Sequence, residues 1–100
     1  MFDIKMLFDN YRYKVVLIKI KSMKMSIDEK IINIKKEDLN NLYKILRYID
    51  KKSNSNSNSN VIDPVIYNIS IYDEEYSGDS NSNKNFYMLN DWIGEINDRK

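Results

Sequence analysis

Cysteine and histidine are both absent from this sequence of 100 residues, and glycine is rare. Without cysteine there are no disulfides, thiol nucleophiles or thiolate metal ligands. Without histidine, the chain lacks the usual general base near neutral pH and the commonest metal ligand. The two glycines, Gly78 and Gly94, are too few for a glycine-rich phosphate loop. The sequence therefore predicts a protein that is not an enzyme and that binds no cofactor or metal.

Long hydrophobic runs are also missing, because no apolar stretch approaches the roughly 18–20 residues that cross a membrane. The first ten residues, MFDIKMLFDN, place Asp3 early and have no basic region before an apolar core. This pattern is not that of a secretory signal. We therefore expect a cytoplasmic protein without a membrane partner.

The residues that are present indicate one globular domain from an AT-rich genome. Hydrophobic residues make up 42% and charged residues 31% of the chain, which is ordinary for a soluble domain with one modest core. We therefore expect residues 1–100 to form a single domain. Alanine, glutamine and threonine are absent, whereas isoleucine, lysine, asparagine, tyrosine and aspartate abound. The codons of these abundant residues are built mainly from A and T, so mutation bias accounts for part of the lysine and asparagine content.

The formal net charge of +1 hides an uneven distribution. Residues 1–52 contain thirteen Lys or Arg and seven Asp or Glu, a balance of +6. Residues 61–100 contain three and eight, respectively, a balance of −5. This asymmetry predicts one basic and one acidic surface, unless the two halves intermix in the fold.

The clearest predicted element is an amphipathic helix over residues 37–51. Its apolar residues recur at helical spacing, and they are Leu39, Leu42, Ile45, Leu46 and Ile49. Acidic residues stand in its first turn and basic residues in its last, which complements the helix dipole. Because a helix of about 15 residues has marginal stability alone in water, its apolar face is expected to pack on the core.

Apolar patterning predicts five strands, at residues 2–8, 11–24, 30–35, 65–72 and 85–89. The first two strands are expected to pair as a hairpin, as are the last two, and a short helix follows from Asn90. The Ser/Asn tract at residues 53–60 is predicted as a flexible loop, with a domain boundary as the alternative. The order β-β-β-α-β-β-α predicts an α+β fold, in which an antiparallel sheet of about five strands has one main helix packed on one face.

The most distinctive polar feature is an acidic segment predicted to lie in the connection before the last strand. Its candidate binding residues are Asp73, Glu74, Glu75, Tyr76 and Asp79. As a contact surface, it would offer carboxylates to a basic groove on a protein partner, with tyrosine as an amphipathic anchor. The alternatives are a solvated loop and a metal site, but the spacing is not that of a calcium loop.

A basic segment on the predicted N-terminal hairpin provides a different candidate surface. Its residues are Tyr11, Arg12, Tyr13, Lys14, Lys19 and Lys21, with Lys24 beyond them. The cations could follow a phosphate backbone while the tyrosine rings stack on bases. The simpler interpretation is a solvated strand face, because the overall charge is far below that of most nucleic-acid-binding domains.

The single tryptophan, Trp92, lies in the short predicted C-terminal helix. A lone tryptophan in such a helix usually fixes the helix to the core. The alternative is an exposed residue that contributes strongly to a protein interface. We favour the core position.

In size and AT-rich composition, the chain resembles small accessory proteins of phages and other mobile elements, including anti-CRISPR proteins. The resemblance implies a stoichiometric inhibitor that blocks a nucleic-acid-handling host complex in the host cytoplasm. The acidic segment 73–79 would then stand in for phosphate. The alternatives are a nucleic-acid-binding protein that uses the basic segment and a subunit of a larger assembly joined through a strand edge. The oligomeric state is left open.

Overall fold

Buried and exposed side chains alternate along the strands, as expected for a sheet with one covered face. A computed structural model describes residues 2–49, 64–72, 74–80, 83 and 85–99. Within these residues, six strands form one antiparallel sheet in the order β4-β3-β2-β1-β5-β6. The strands are β1 (Ile4–Asp9), β2 (Val15–Lys19), β3 (Lys24–Ile27), β4 (Lys30–Asn33), β5 (Ile66–Ile71) and β6 (Glu74–Asp79).

Two described helices, α1 (Lys36–Tyr48) and α2 (Phe86–Asn97), pack on the same face of the sheet. The predicted apolar face of α1 is buried, from Leu39 through Ile49. On α2, the Phe86 ring stacks on Tyr67 of β5 at a centroid distance of 5.7 Å and meets the edge of Phe8 of β1. One apolar core therefore lies between the helices and the sheet. The predicted α+β class is confirmed, with six strands in place of about five.

The chain forms a four-stranded meander, crosses the covered face through α1, and returns as the β5–β6 hairpin. Because β5 pairs with β1 and not with β4, the N-terminal part of the sheet (β1 to β4) and the C-terminal part (β5 and β6) are joined between β1 and β5. The edges are β4 and β6. Neither described helix has the length and apolar character needed to span a membrane.

The long strand predicted at residues 11–24 is wrong, because two separate elements occupy it. Residues 11–14 connect β1 to β2, and a turn at residues 20–23 separates β2 from β3. Two features hold this turn: the Ile20 backbone N–H donates at 2.8 Å to the carboxylate of Asp3, which directly precedes β1, and Met23 has a left-handed φ of 54°. The predicted helix also ends early, at Tyr48, because Ile49 is extended.

Two C-terminal predictions are wrong as well. The acidic segment predicted as a connection contains strand β6, paired along its whole length with β5. The segment predicted as a strand at residues 85–89 begins α2, for which Asn85 occupies the N-cap position. The Ser/Asn tract at residues 53–60 lies outside the described residues.

Candidate functional site

The predicted aromatic part of the basic segment is used for packing within the fold. The Tyr11 ring meets Phe8 and Phe86 edge-on at 5.1 and 5.9 Å, and its hydroxyl donates to the side-chain oxygen of Asn90 on α2. Burial raises the pKa of Tyr11 to about 12, despite the opposing effect of the Arg12 guanidinium. The Tyr13 hydroxyl accepts a hydrogen bond from the Asn97 side chain at 3.3 Å. Neither ring is therefore a free platform for base stacking.

The structure also separates the cations of the basic segment. Arg12 and Lys14 lie at the β1–β2 connection, where the Arg12 guanidinium is 5.1 Å from the centre of the Tyr13 ring. Lys19 and Lys21 lie at the opposite end of β2, and the Lys19 ammonium is 5.2 Å from the centre of the Phe2 ring. The six predicted nucleic-acid-binding residues thus do not form one continuous surface.

The acidic segment is likewise divided by its strand structure. Tyr76 and Asp79 are each only 9% exposed, whereas Glu74 and Glu75 lie at the surface. The Tyr76 hydroxyl donates to the Glu74 carboxylate at 3.4 Å. Asp73 lies outside the described residues. Among the described members, only the two glutamates are therefore placed to contact a partner.

Trp92 anchors α2 to α1, as the core interpretation predicts. Its side chain is 6% exposed, and its indole N–H donates to the Asp38 carbonyl oxygen at 3.1 Å. The Asp38 carboxylate accepts two hydrogen bonds of 2.6 Å from the Arg99 guanidinium, and a third from the Lys35 backbone N–H. The Arg99 hydrogen bonds hold the pKa of Asp38 below its ordinary value.

The face of the sheet opposite the helices carries an apolar group that sequence analysis did not single out. The strand residues that alternate with the core occupy this face. Its apolar side chains, called here the apolar stripe, are Leu7, Val15, Leu17, Ile31 and Ile66. No described element covers them: Leu7, Ile66 and Ile31 are 39%, 50% and 70% exposed, respectively.

The strand register makes the apolar stripe a continuous diagonal. Val15 and Leu17 are same-face neighbours on β2, and Leu7 pairs with Val15. Ile66 is diagonal to Leu7, because Leu7 pairs with Asn68 two residues further along β5. Diagonal cross-strand neighbours of this kind lie within side-chain reach.

The stripe continues toward the β4 edge across a small residue. Ser26 of β3 pairs with Leu17 on one side and with Ile31 on the other. A shallow cavity of about 190 Å³ is lined by these three residues together with Phe2. The exposed Ile31 is therefore part of the stripe and not an isolated surface residue.

Charged side chains of opposite sign flank the stripe. On one side, called the basic side, lie Lys5, Lys19, Lys24 and, at the sheet edge, Glu75. On the other, called the acidic side, lie Asp9, Lys14, Asp28 and Glu29. The Asp28 carboxylate is fixed there because it accepts the backbone N–H groups of Lys14 and Val15 at 2.9 and 2.8 Å.

A signal for this surface exists in the sequence. Val15 to Ile18 is a run of four apolar residues, which puts apolar side chains on both faces of β2. The run predicts a central strand, and β2 is indeed flanked by β1 and β3. In an antiparallel sheet whose helices cover one face, the same run also indicates an apolar patch on the other face.

The described residues contain no group of three or more acidic side chains placed to hold a metal ion. Comparisons with protein-family models, with curated proteins and with solved structures found no match to this chain.

Proposed function

We propose that this protein is a non-catalytic protein-binding module that docks a partner on the uncovered face of its sheet. The observation that supports the proposal is the apolar stripe, a contiguous diagonal of five side chains with a charged border. Exposed apolar residues scattered singly need no explanation, whereas a contiguous patch with a polar rim is typical of a protein interface. Leu7 pairs with Val15 in the middle part of the stripe, where burial by a partner would contribute most.

The mixed charge of this face favours a protein partner over a nucleic acid. A phosphate backbone requires a surface of one sign, but Asp9, Asp28 and Glu29 stand only a few strand positions from the lysines. The tyrosines that were predicted to stack on bases are packed against α2. The nucleic-acid alternative is therefore the weaker proposal.

The class of partner rests on the sequence alone. Blocking of a nucleic-acid-handling host complex stays a prediction, drawn from the size and AT-rich composition of the chain. In that function, Glu74 and Glu75 on the β6 edge would supply the acidic contact that was assigned to the whole segment 73–79. Such a contact would adjoin the uncovered face, because Glu75 occupies the same face as Lys5 and Ser70.

Affinity capture with matched variants tests the docking face. Leu7→Lys places a charge in the centre of the stripe, whereas Tyr87→Lys makes a similar change at a 60% exposed position on α2, on the helical side. Partners from a lysate of the source organism should be retained by the unmodified protein and by Tyr87→Lys, and lost from Leu7→Lys. Circular dichroism establishes that both variants are folded. Equal retention by Leu7→Lys and the unmodified protein would contradict the proposed face.

A titration with generic single- and double-stranded oligonucleotides separates the two functions. We expect no binding at low salt. Binding whose affinity falls steeply with salt concentration would instead support the nucleic-acid alternative, because counterion release gives a slope of nearly one power of salt per phosphate contact.

A further inference from the structure

The apolar stripe divides the uncovered face into two halves of opposite charge. The basic side has three exposed lysines and the exposed Glu75, a formal balance of +2, and the half-buried Asp3 lies beside Lys19. The acidic side has Asp9, Asp28, Glu29 and Lys14, a formal balance of −2. All eight side chains are exposed. Halves of opposite net charge on either side of an apolar line are the pattern of a surface complementary to itself.

Two-fold symmetry converts this pattern into an interface. If two copies meet face to face with the dyad along the stripe, each stripe packs on the other stripe. A point on one side of the dyad then faces the opposite side of the second copy. At the β3–β4 end of the stripe, Lys19 and Lys24 of each copy therefore lie over Asp28 and Glu29 of its partner, at two symmetric places. A contact of this kind is closed, so it gives a dimer and not a filament.

We infer that the partner on the uncovered face is a second copy of this chain, and that the two sheets form a sandwich around a dyad along the apolar stripe. The inference rests on the proposed docking face and names its occupant. Packing of two sheets about 10 Å apart would bury Leu7, Val15 and Leu17 in the centre. Because the sheets would meet through their faces, the backbone edges of β4 and β6 would take no part in the pairing of the two copies.

The charge pattern disfavours other occupants. A basic or an acidic peptide would match one side of the stripe and be repelled by the other, since like charges across an interface are costly. A partner needs acidic residues over Lys19 and Lys24 and basic residues over Asp28 and Glu29, and a second copy of the chain related by the dyad provides both.

Sedimentation equilibrium of the full chain over a concentration series tests the dimer. The unmodified protein and Tyr87→Lys should associate reversibly to a dimer with the same Kd. Leu7→Lys should be monomeric at every concentration used. A monomeric unmodified protein, or an unchanged dimer of Leu7→Lys, would overturn the inference.

A charge swap tests the geometry without altering the stripe. Lys19 and Glu29 lie at opposite ends of β2 and β3, about 13 Å or more apart, so they do not pair within one chain. Lys19→Glu and Glu29→Lys should each weaken the dimer about tenfold or more, because each places like charges opposite one another. The double variant should recover the original Kd within about threefold, since the two sides have then exchanged one charge each. Failure of the double variant to recover would exclude a dyad along the stripe.

The two proposals fail in different ways. A monomer that still loses its captured partner through Leu7→Lys would exclude the dimer and leave the docking face in place. A dimer that survives Leu7→Lys, together with unchanged capture, would exclude both.

Discussion

At the scale of single residues, Asp38 joins the two helices. It stands in the first turn of α1, and its side chain is almost fully buried. Its carboxylate binds Arg99, which follows α2, while its carbonyl oxygen accepts the Trp92 indole N–H. A buried carboxylate that loses such a partner keeps most of its desolvation penalty. The Asp38–Arg99 pair should therefore contribute more than an ordinary surface ion pair.

Arg99→Ala should lower the free energy of unfolding by about 2 kcal/mol, the usual effect of removing hydrogen bonds to a charged group. Arg99→Lys keeps the charge but cannot form the two parallel hydrogen bonds, so an intermediate loss is expected. Urea denaturation monitored by tryptophan fluorescence measures both, because Trp92 is the only tryptophan and contacts Asp38. An Arg99→Ala variant as stable as the unmodified protein would show that the pair makes no net contribution to stability.

The same pair predicts a dependence on pH. Arg99 lowers the folded-state pKa of Asp38 below its ordinary value of 3.8. The contribution is therefore complete above that value and is lost as the pH falls through the lowered pKa. The difference in unfolding free energy between the unmodified protein and Arg99→Ala should be constant near neutral pH. It should become smaller below about pH 4. A difference that shrinks near neutrality would assign the effect to another group.

Sequence reasoning reached only part of this arrangement. Asp38 was recognised as a first-turn acid that complements the helix dipole, and Trp92 as a core anchor. The partner of Asp38 is 61 positions away in sequence. No local pattern marks Arg99, because the pairing depends on how α2 docks beside α1.

At the scale of elements, α2 shows how a short apolar run is misread. Asn85 to Leu89 contains four apolar residues in a row and was predicted as a strand. Continued to Ile96, however, its buried residues follow helical spacing: Phe86, Leu89, Ile93 and Ile96. The full length of the pattern, and not its first five residues, identifies the helix.

Strand β6 could not be predicted from propensity, because its residues Glu-Glu-Tyr-Ser-Gly-Asp include several that disfavour strands. Its strand structure depends on pairing with β5, where Tyr76 lies opposite Ile69 and adds its ring to the core. The β5 strand has the clean alternation that predicts it. The edge strand thus depends on a neighbour that the local sequence does not reveal.

Gly94 provides a prediction for α2. It lies inside the helix, and among the described residues a Cβ placed there would meet only the Arg12 guanidinium, at an ordinary contact distance of 3.7 Å. Gly94→Ala should raise the free energy of unfolding by about 0.5–1 kcal/mol through helix propensity and the reduced freedom of the unfolded chain. Thermal and urea denaturation measure the change.

Glu95→Ala serves as the control, because the exposed Glu95 already has a high helix propensity. Its effect on stability should stay within about 0.5 kcal/mol. A loss of stability in Gly94→Ala would instead indicate that the Arg12 guanidinium cannot move aside.

At the scale of the whole molecule, the charge asymmetry of the sequence is rearranged by the sheet. The basic N-terminal half and the acidic C-terminal half meet where β1 pairs with β5. On the uncovered face, however, the acidic side is built by Asp9, Asp28 and Glu29, all from the basic half of the chain. Counting charges by half therefore predicts an uneven surface but not the division along the apolar stripe. That division follows from the order and register of the strands in the whole sheet, which a count of charges along the chain does not reveal.

The salt dependence of the dimer tests this division for the whole assembly. Between about 0.1 M and about 1 M salt, the screening length falls from about 10 Å to about 3 Å. The unmodified dimer should weaken by about threefold to tenfold over this range, because screened surface charges contribute modestly while burial of the stripe is unaffected. In Lys19→Glu, like charges face one another, so added salt should strengthen the residual dimer. Sedimentation equilibrium at both salt concentrations measures the two slopes. The salt dependence of the Kd should have opposite signs in the two proteins only if the lysine side of one copy lies over the carboxylate side of the other. An equal salt dependence in both proteins would place these charges outside the interface.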